Sequence, residues 1–198
     1  MLPSYVVYKA KNLYDGWTEG GPAETWYNAT SSGWMDEPTF FDWLTKLFIP
    51  AVADIDGGKL LFFDGHGSHI SLRIVETCRE SNVHLVCLIP HSSHILQPLD
   101  VSVFKPMKTV WRNLLKSHYR ETRLSKLNKE AFPKLLSKLY DSLKPQNLIK
   151  GFMACGLFPI DQSAVKVSRL APSLPFVREA ARNRQPQPHH APTVELPA

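Results

Sequence analysis

Hydrophobic and polar positions alternate in short blocks over the first ninety residues. "SYVVYKAKNLYDGW" begins as a short strand and continues as loop, and "AETWYNATSSGW" predicts a second strand ending at Gly33. "DEPTFFDWLTKLFIP" has helical spacing: Phe41, Leu44, Leu47 and Phe48 share a face, Asp36 suits the N-cap, Pro38 the first turn, and Pro50 a stop. "GKLLFFD" predicts a buried strand, residues 71–80 a helix capped by Ser71, and "NVHLVCLIP" another strand ended by Pro90. Strand, helix, strand in that order implies an α/β layer whose two apolar strands pair in parallel and are covered on both faces.

The longest helical pattern runs from about Val101 to Arg120. Lys105, Lys108, Arg112, Lys116 and Arg120 recur at steps of three or four, while Phe104, Met107, Trp111, Leu114 and Leu115 fall mostly on the other side. One face is suited to packing and the other is a cationic stripe. Helices follow over about 129–142 and 145–155, with Gly156 suited to the C-terminal stop and Pro159 forbidding continuation. From Ala171 onward, 6 of 28 residues are proline and apolar periodicity fades. The expected division is a domain over 1–162 and a Pro-rich, largely disordered tail over 163–198.

The 198 residues are 43% apolar and 21% charged, which suits a globular domain with its own core. No apolar run approaches the roughly 18 to 20 residues that cross a bilayer, and no signal pattern opens the chain, so an intracellular protein is expected. Cys78, Cys87 and Cys155 form no CxxC pair and read as small buried hydrophobes. Charge is unevenly placed within the net +5: residues 1–104 carry −6, residues 105–150 carry +9 and residues 151–198 carry +2. A basic segment beside an acidic one suits a protein that meets a polyanion with one part and handles cations with another; a solvated helical surface is the plain alternative.

Asp64 stands where the "KLLFF" strand stops, in "FFDGHGSH". That position suits an Asx-turn as well as a catalytic carboxylate. Asp100, 36 positions later, opens the basic helix and suits an N-cap. If the helix-linked strands are neighbours, the loop after the second brings Asp100 back toward the end that carries Asp64. Two carboxylates at close range repel unless a divalent cation sits between them.

"LLFFDGHGSH", "VCLIPHSSHILQPLDVSVFKPMK" and "NLIKGFMACGLFPID" resemble, in order and spacing, the endonuclease domain of pogo-, Tigger- and jerky-type transposases of the DDE superfamily. "GWMDEPTFFDWLTKLFIP" fits as well, so the resemblance covers about residues 1–162. It implies an RNase H-like fold, a mixed sheet flanked by helices, here N-terminally truncated and followed by a helical C-terminal part. Asp64 would be the second acid of the catalytic triad and Asp100 the third, both as metal ligands. Two Mg²⁺ ions (or Mn²⁺) would activate the attacking oxygen and neutralise the leaving one in DNA cleavage and strand transfer. His69 and His94 would support the carboxylates by hydrogen bonding, and Lys105, Lys108, Arg112 and Lys116 would track DNA phosphates. DNA is the implied partner, the nucleus the implied location, and a homo-oligomer the implied assembly.

The family's first acid lies on a strand upstream of the segment matching "PSYVVYKAK", so that acid and its strand are expected to be missing here. Little or no turnover is then expected of this chain by itself. No helix-turn-helix reader is visible ahead of the domain. Two other readings stay open: a domesticated, non-catalytic DNA-binding module, and a zinc site built from His66, His69, His91 and His94.

Overall fold

The computed structural model describes residues 2–65 and 70–165. Its strands form two separate parallel pairs. Strand β1 (Tyr5–Lys9) pairs with β2 (Trp26–Thr30), and β3 (Lys59–Phe63) pairs with β4 (Val83–Cys87). The expected parallel pairing of the two apolar strands is therefore present, with Lys59 opposite Val83 and Phe63 opposite Cys87. Among the described residues the two pairs remain separate sheets, so the architecture is α/β with small parallel sheets and a helical C-terminal part.

Between the pairs lies α1 (Glu37–Trp43), a π-helical turn (Leu44–Phe48) and α2 (Ile49–Val52). Asp36 caps α1 as its sequence position predicts: its backbone is extended and its Oδ1 accepts from the Thr39 N–H at 3.0 Å. The predicted stop at Pro50 does not occur, because helical backbone continues to Val52. In the π-turn the Ile49 N–H reaches back five residues to the Leu44 carbonyl. Pro50 then falls in the first turn of the segment Ile49–Val52, directly after the π-turn, and the helix passes through it rather than ending there.

Phe40, Leu44, Phe48 and Val52 from this helical run bury against Ile74 and Cys78 of α3 (Leu72–Glu80) and Val83 of β4. Leu44 and Ile74 are fully buried. Ser71 caps α3, accepting from the Ile74 N–H at 3.4 Å, so the sequence reading of that cap holds. A cationic side chain closes the edge of this core: the Arg73 guanidinium sits 3.5 Å from the centroid of the Phe41 ring.

After β4 come α4 (Ser93–Leu96), a second π-helical turn (Leu99–Val103), α5 (Phe104–Thr122), α6 (Phe132–Asp141) and α7 (Pro145–Ala154). Gly156 takes a left-handed φ of 63° just past α7, the stop its position predicts. Of the three cysteines, Cys78 and Cys155 are buried as expected, and burial pushes both thiols above the ordinary range. Cys87 is exposed, which corrects the reading of all three as core residues. It ends β4, whereas Val83 of the same strand lies in the core cluster and Leu85 packs against it. The expected tail boundary at 162 falls on a 3₁₀ turn (Gln162–Ala164), and the Pro-rich segment from 166 lies outside the described residues.

Candidate carboxylate site and cationic helix

Asp64 follows β3 directly and is half-buried. The strand ends there in register with its neighbour, since the Phe63 carbonyl accepts from the Leu88 N–H at 2.8 Å. Both parallel strands therefore stop at the same level, and the chain that leaves β4 carries the remaining candidates. His91 takes a left-handed φ of 61° in that loop. Ser92 beside it is fully buried, its hydroxyl donating to the Ile89 carbonyl at 2.6 Å, which holds the turn leading into α4.

Asp100 is exposed and lies inside the second π-helical turn. The N-cap reading is corrected by this geometry. Pro98, with φ −53° and ψ −37°, is already helical in backbone, so helical geometry is established before the chain reaches Asp100. An N-cap needs non-helical backbone, and the Asp100 side chain makes no capping bond. Its negative charge still falls in the first turn, where the helix dipole favours it.

Asp100 lines an open cavity of about 490 Å³ with His91, Ser93 and His94. Asp64 is not among the described residues lining it. His94 thus shares a cavity with Asp100, whereas His69 and His66 lie outside the described residues. Among the described residues no group of three or more His, Cys, Asp or Glu side chains has metal-holding geometry. The described donor set is therefore short of a complete metal site, and a third ligand is required before the chemistry expected of Mg²⁺ or Mn²⁺ fits.

Lys105, Lys108, Arg112 and Lys116 are all exposed on α5, as is Arg120 one turn on. None of the five forms an ion pair with a described residue. The opposite face of the helix packs: Phe104, Met107 and Trp111 meet Phe132, Leu136 and Leu139 of α6 around an apolar cavity that Lys108 also touches. Trp111 and Phe132 sit edge to face with centroids 5.7 Å apart. The division into a packed face and a cationic face follows the sequence periodicity.

Two residues of this region escaped the sequence reading. The Ser102 hydroxyl lies 2.6 Å from the Asn147 carbonyl and 3.1 Å from the Pro98 carbonyl. Gly151 of α7 faces the same spot, and a Cβ there would come within 2.5 Å of Ser102 Oγ. A lone glycine inside a helical pattern was the one available signal, since glycine is tolerated there but unfavourable without a packing reason.

Residues 1–152 match the DDE superfamily endonuclease family, and the chain belongs to it. It is also 30% identical over 168 residues to the MFS-type transporter clz9 of Cochliobolus lunatus, a match covering 83% of this chain and 18% of that protein. The chain thus spans less than a fifth of the length of that relative. Among the described residues no helix is long and apolar enough to cross a membrane. No solved structure matches the chain significantly. A DDE endonuclease domain suggests transposase-like action on nucleic acid, and divalent metals are general in that family.

Proposed function

We propose that this chain is a transposase-derived DNA-binding domain of the pogo, Tigger and jerky kind, acting in the nucleus and RNase H-like in ancestry. It grips phosphates with Lys105, Lys108, Arg112 and Lys116, and it contributes Asp64 and Asp100 to a cleavage centre. The observation that carries this reading is the order of features at one turn: Asp100 is immediately followed by a helix whose exposed face is cationic and unpaired with any described acid. DNA laid along α5 would meet the helix end at the carboxylate. Phosphate contacts of this kind fix register and strength and carry no base sequence.

Cleavage in this reading needs a third carboxylate, carried by a further strand that pairs with β3. Two features support that requirement. β3 pairs with β4 alone among the described residues, and Leu60 on it is 59% exposed. Leu60 and Phe62 also border an apolar trough with Leu148, Ile149, Phe152, Leu157 and Phe158. An unpaired strand edge beside exposed apolar surface is a site that proteins ordinarily cover. The completed centre would take Mg²⁺ or Mn²⁺, two ions in all, and two or more copies of the protein would act together.

A second reading, a non-catalytic domesticated module, is favoured by the lack of any three-ligand group among the described residues. Nicking of supercoiled DNA with Mn²⁺ separates the two. The chain alone is expected to bind DNA and to nick it little, and a longer form supplying the third acid is expected to nick it. Loss of that activity in Asp64→Asn and in Asp100→Asn supports the cleavage reading; retention in either variant overturns that residue's role.

A further inference from the structure

Asp100 gains its place from a part of the chain far from it in sequence. The π-helical turn Leu99–Val103 is a wide turn, closed by the Phe104 N–H reaching the Leu99 carbonyl. Such turns are seldom stable by themselves and recur at functional sites. Here α7 lies directly on it. Ser102 stands two residues after Asp100, and its single hydroxyl proton has two carbonyls in reach: Asn147 O at 2.6 Å, on α7, and Pro98 O at 3.1 Å, at the start of its own turn. Both flanks of Asp100 are therefore held through one side chain, across 45 positions of sequence.

The approach depends on Gly151, which is buried in α7. A Cβ at that position would lie 2.5 Å from Ser102 Oγ and 2.7 Å from the Pro98 carbonyl oxygen. The second of those is backbone and cannot swing aside, so any side chain there must push α7 off the turn or distort the turn itself. Pro98, just before the turn, and Val103, its last residue, are buried, while Asp100 between them is exposed. The turn is anchored at its ends and presents the carboxylate outward.

We propose that Ser102 and Gly151 are positioning residues for Asp100: α7 seats on the π-helical turn through them and fixes the backbone that carries this carboxylate. The inference rests on the reading of Asp100 as a working carboxylate, and it assigns α7 a part in the site although α7 contributes no acid to it.

The test uses the intact chain and reads the Asp100 backbone directly. Amide exchange over residues 101–104 and the residual dipolar coupling of the Asp100 N–H are measured in the wild type, Ser102→Ala, Gly151→Ala and Ile149→Ala. Ile149, 61% exposed on the same helix, controls for general damage to α7. Ser102→Ala and Gly151→Ala are expected to speed exchange at 101–104 at least tenfold and to reduce the Asp100 coupling by half or more. Amides in β3 and β4 should stay unchanged, and Ile149→Ala should leave both readouts near wild type. Unchanged exchange at 101–104 overturns the proposal. So does faster exchange with an unchanged Asp100 coupling, which would make the contact structural only, and so does loss of protection throughout the chain. A cleavage assay in which Asp100→Asn has no effect would sink the catalytic reading and leave these measurements as they stand.

Discussion

The Tyr5 hydroxyl donates to Asp42 Oδ2 at 2.6 Å and thereby ties β1 to α1. The same hydroxyl accepts from Asn28 Nδ2 at 2.8 Å, and Lys46 Nζ lies 2.6 Å from the other carboxylate oxygen of Asp42. One phenol thus joins both strands of the first sheet to the helix that leads into the core. Tyr5→Phe removes two hydrogen bonds from a half-buried network and should destabilise the chain by about 1 to 2 kcal/mol, read as a lower midpoint in urea with an unchanged slope.

The same network sets a pH dependence. Burial pushes the Asp42 carboxyl upward, but the hydrogen bonds from Lys46 and Tyr5 outweigh it and leave the group below its ordinary value of 3.8. Asp36 is also lowered, by the Thr39 side chain and backbone N–H. A carboxyl lowered on folding contributes stability that is complete above its unfolded value and is lost as pH falls through its folded value. Stability should therefore decline below about pH 4, and Asp42→Asn should flatten that decline. At the alkaline end, burial followed by the bond to Asp42 pushes Tyr5 up to about 12, so its absorbance titration should lie near 12 rather than 10.

Two substitutions gauge the first helix separately. Asp36→Ala removes the acceptor for the Thr39 N–H and should cost about 1 kcal/mol, whereas Asp36→Asn keeps an acceptor and should cost less. Leu44→Ala empties a fully buried position in the π-helical turn and should cost about 2 to 5 kcal/mol. Equal losses from Leu44→Ala and from an alanine at exposed Leu60 would contradict the placement of the core.

Much of this arrangement is legible in residue order, and the exceptions have two physical causes. The strand, helix, strand order around α3 predicted the parallel pairing of β3 with β4, because so short a connection through a helix leaves few alternatives. The caps at Asp36 and Ser71 were legible because capping is local. Pro50 and Asp100 were misread for one reason: each adjoins or lies in a π-helical turn, and a pattern of apolar positions does not distinguish a bond to the fifth preceding residue from one to the fourth. Ser102 gave no signal because its contact reaches a distant segment, and Gly151 gave only that of a lone glycine in a helical pattern. The family match covers 1–152, so the motifs pointed to the right superfamily, and the particular subtype rests on the resemblance.

The claim tested most directly is that α5 carries the DNA contact. The measurement is the affinity of the chain for a short duplex of arbitrary sequence as salt is raised, for the wild type and for Lys105→Gln, Lys108→Gln, Arg112→Gln and Lys116→Gln combined. The wild type should lose affinity linearly on logarithmic axes, with a slope of about −0.9 for each phosphate neutralised, and the combined variant should bind weakly with a slope shallower by roughly three to four units. Affinity that ignores salt, or a combined variant that binds and responds to salt like the wild type, would contradict the account.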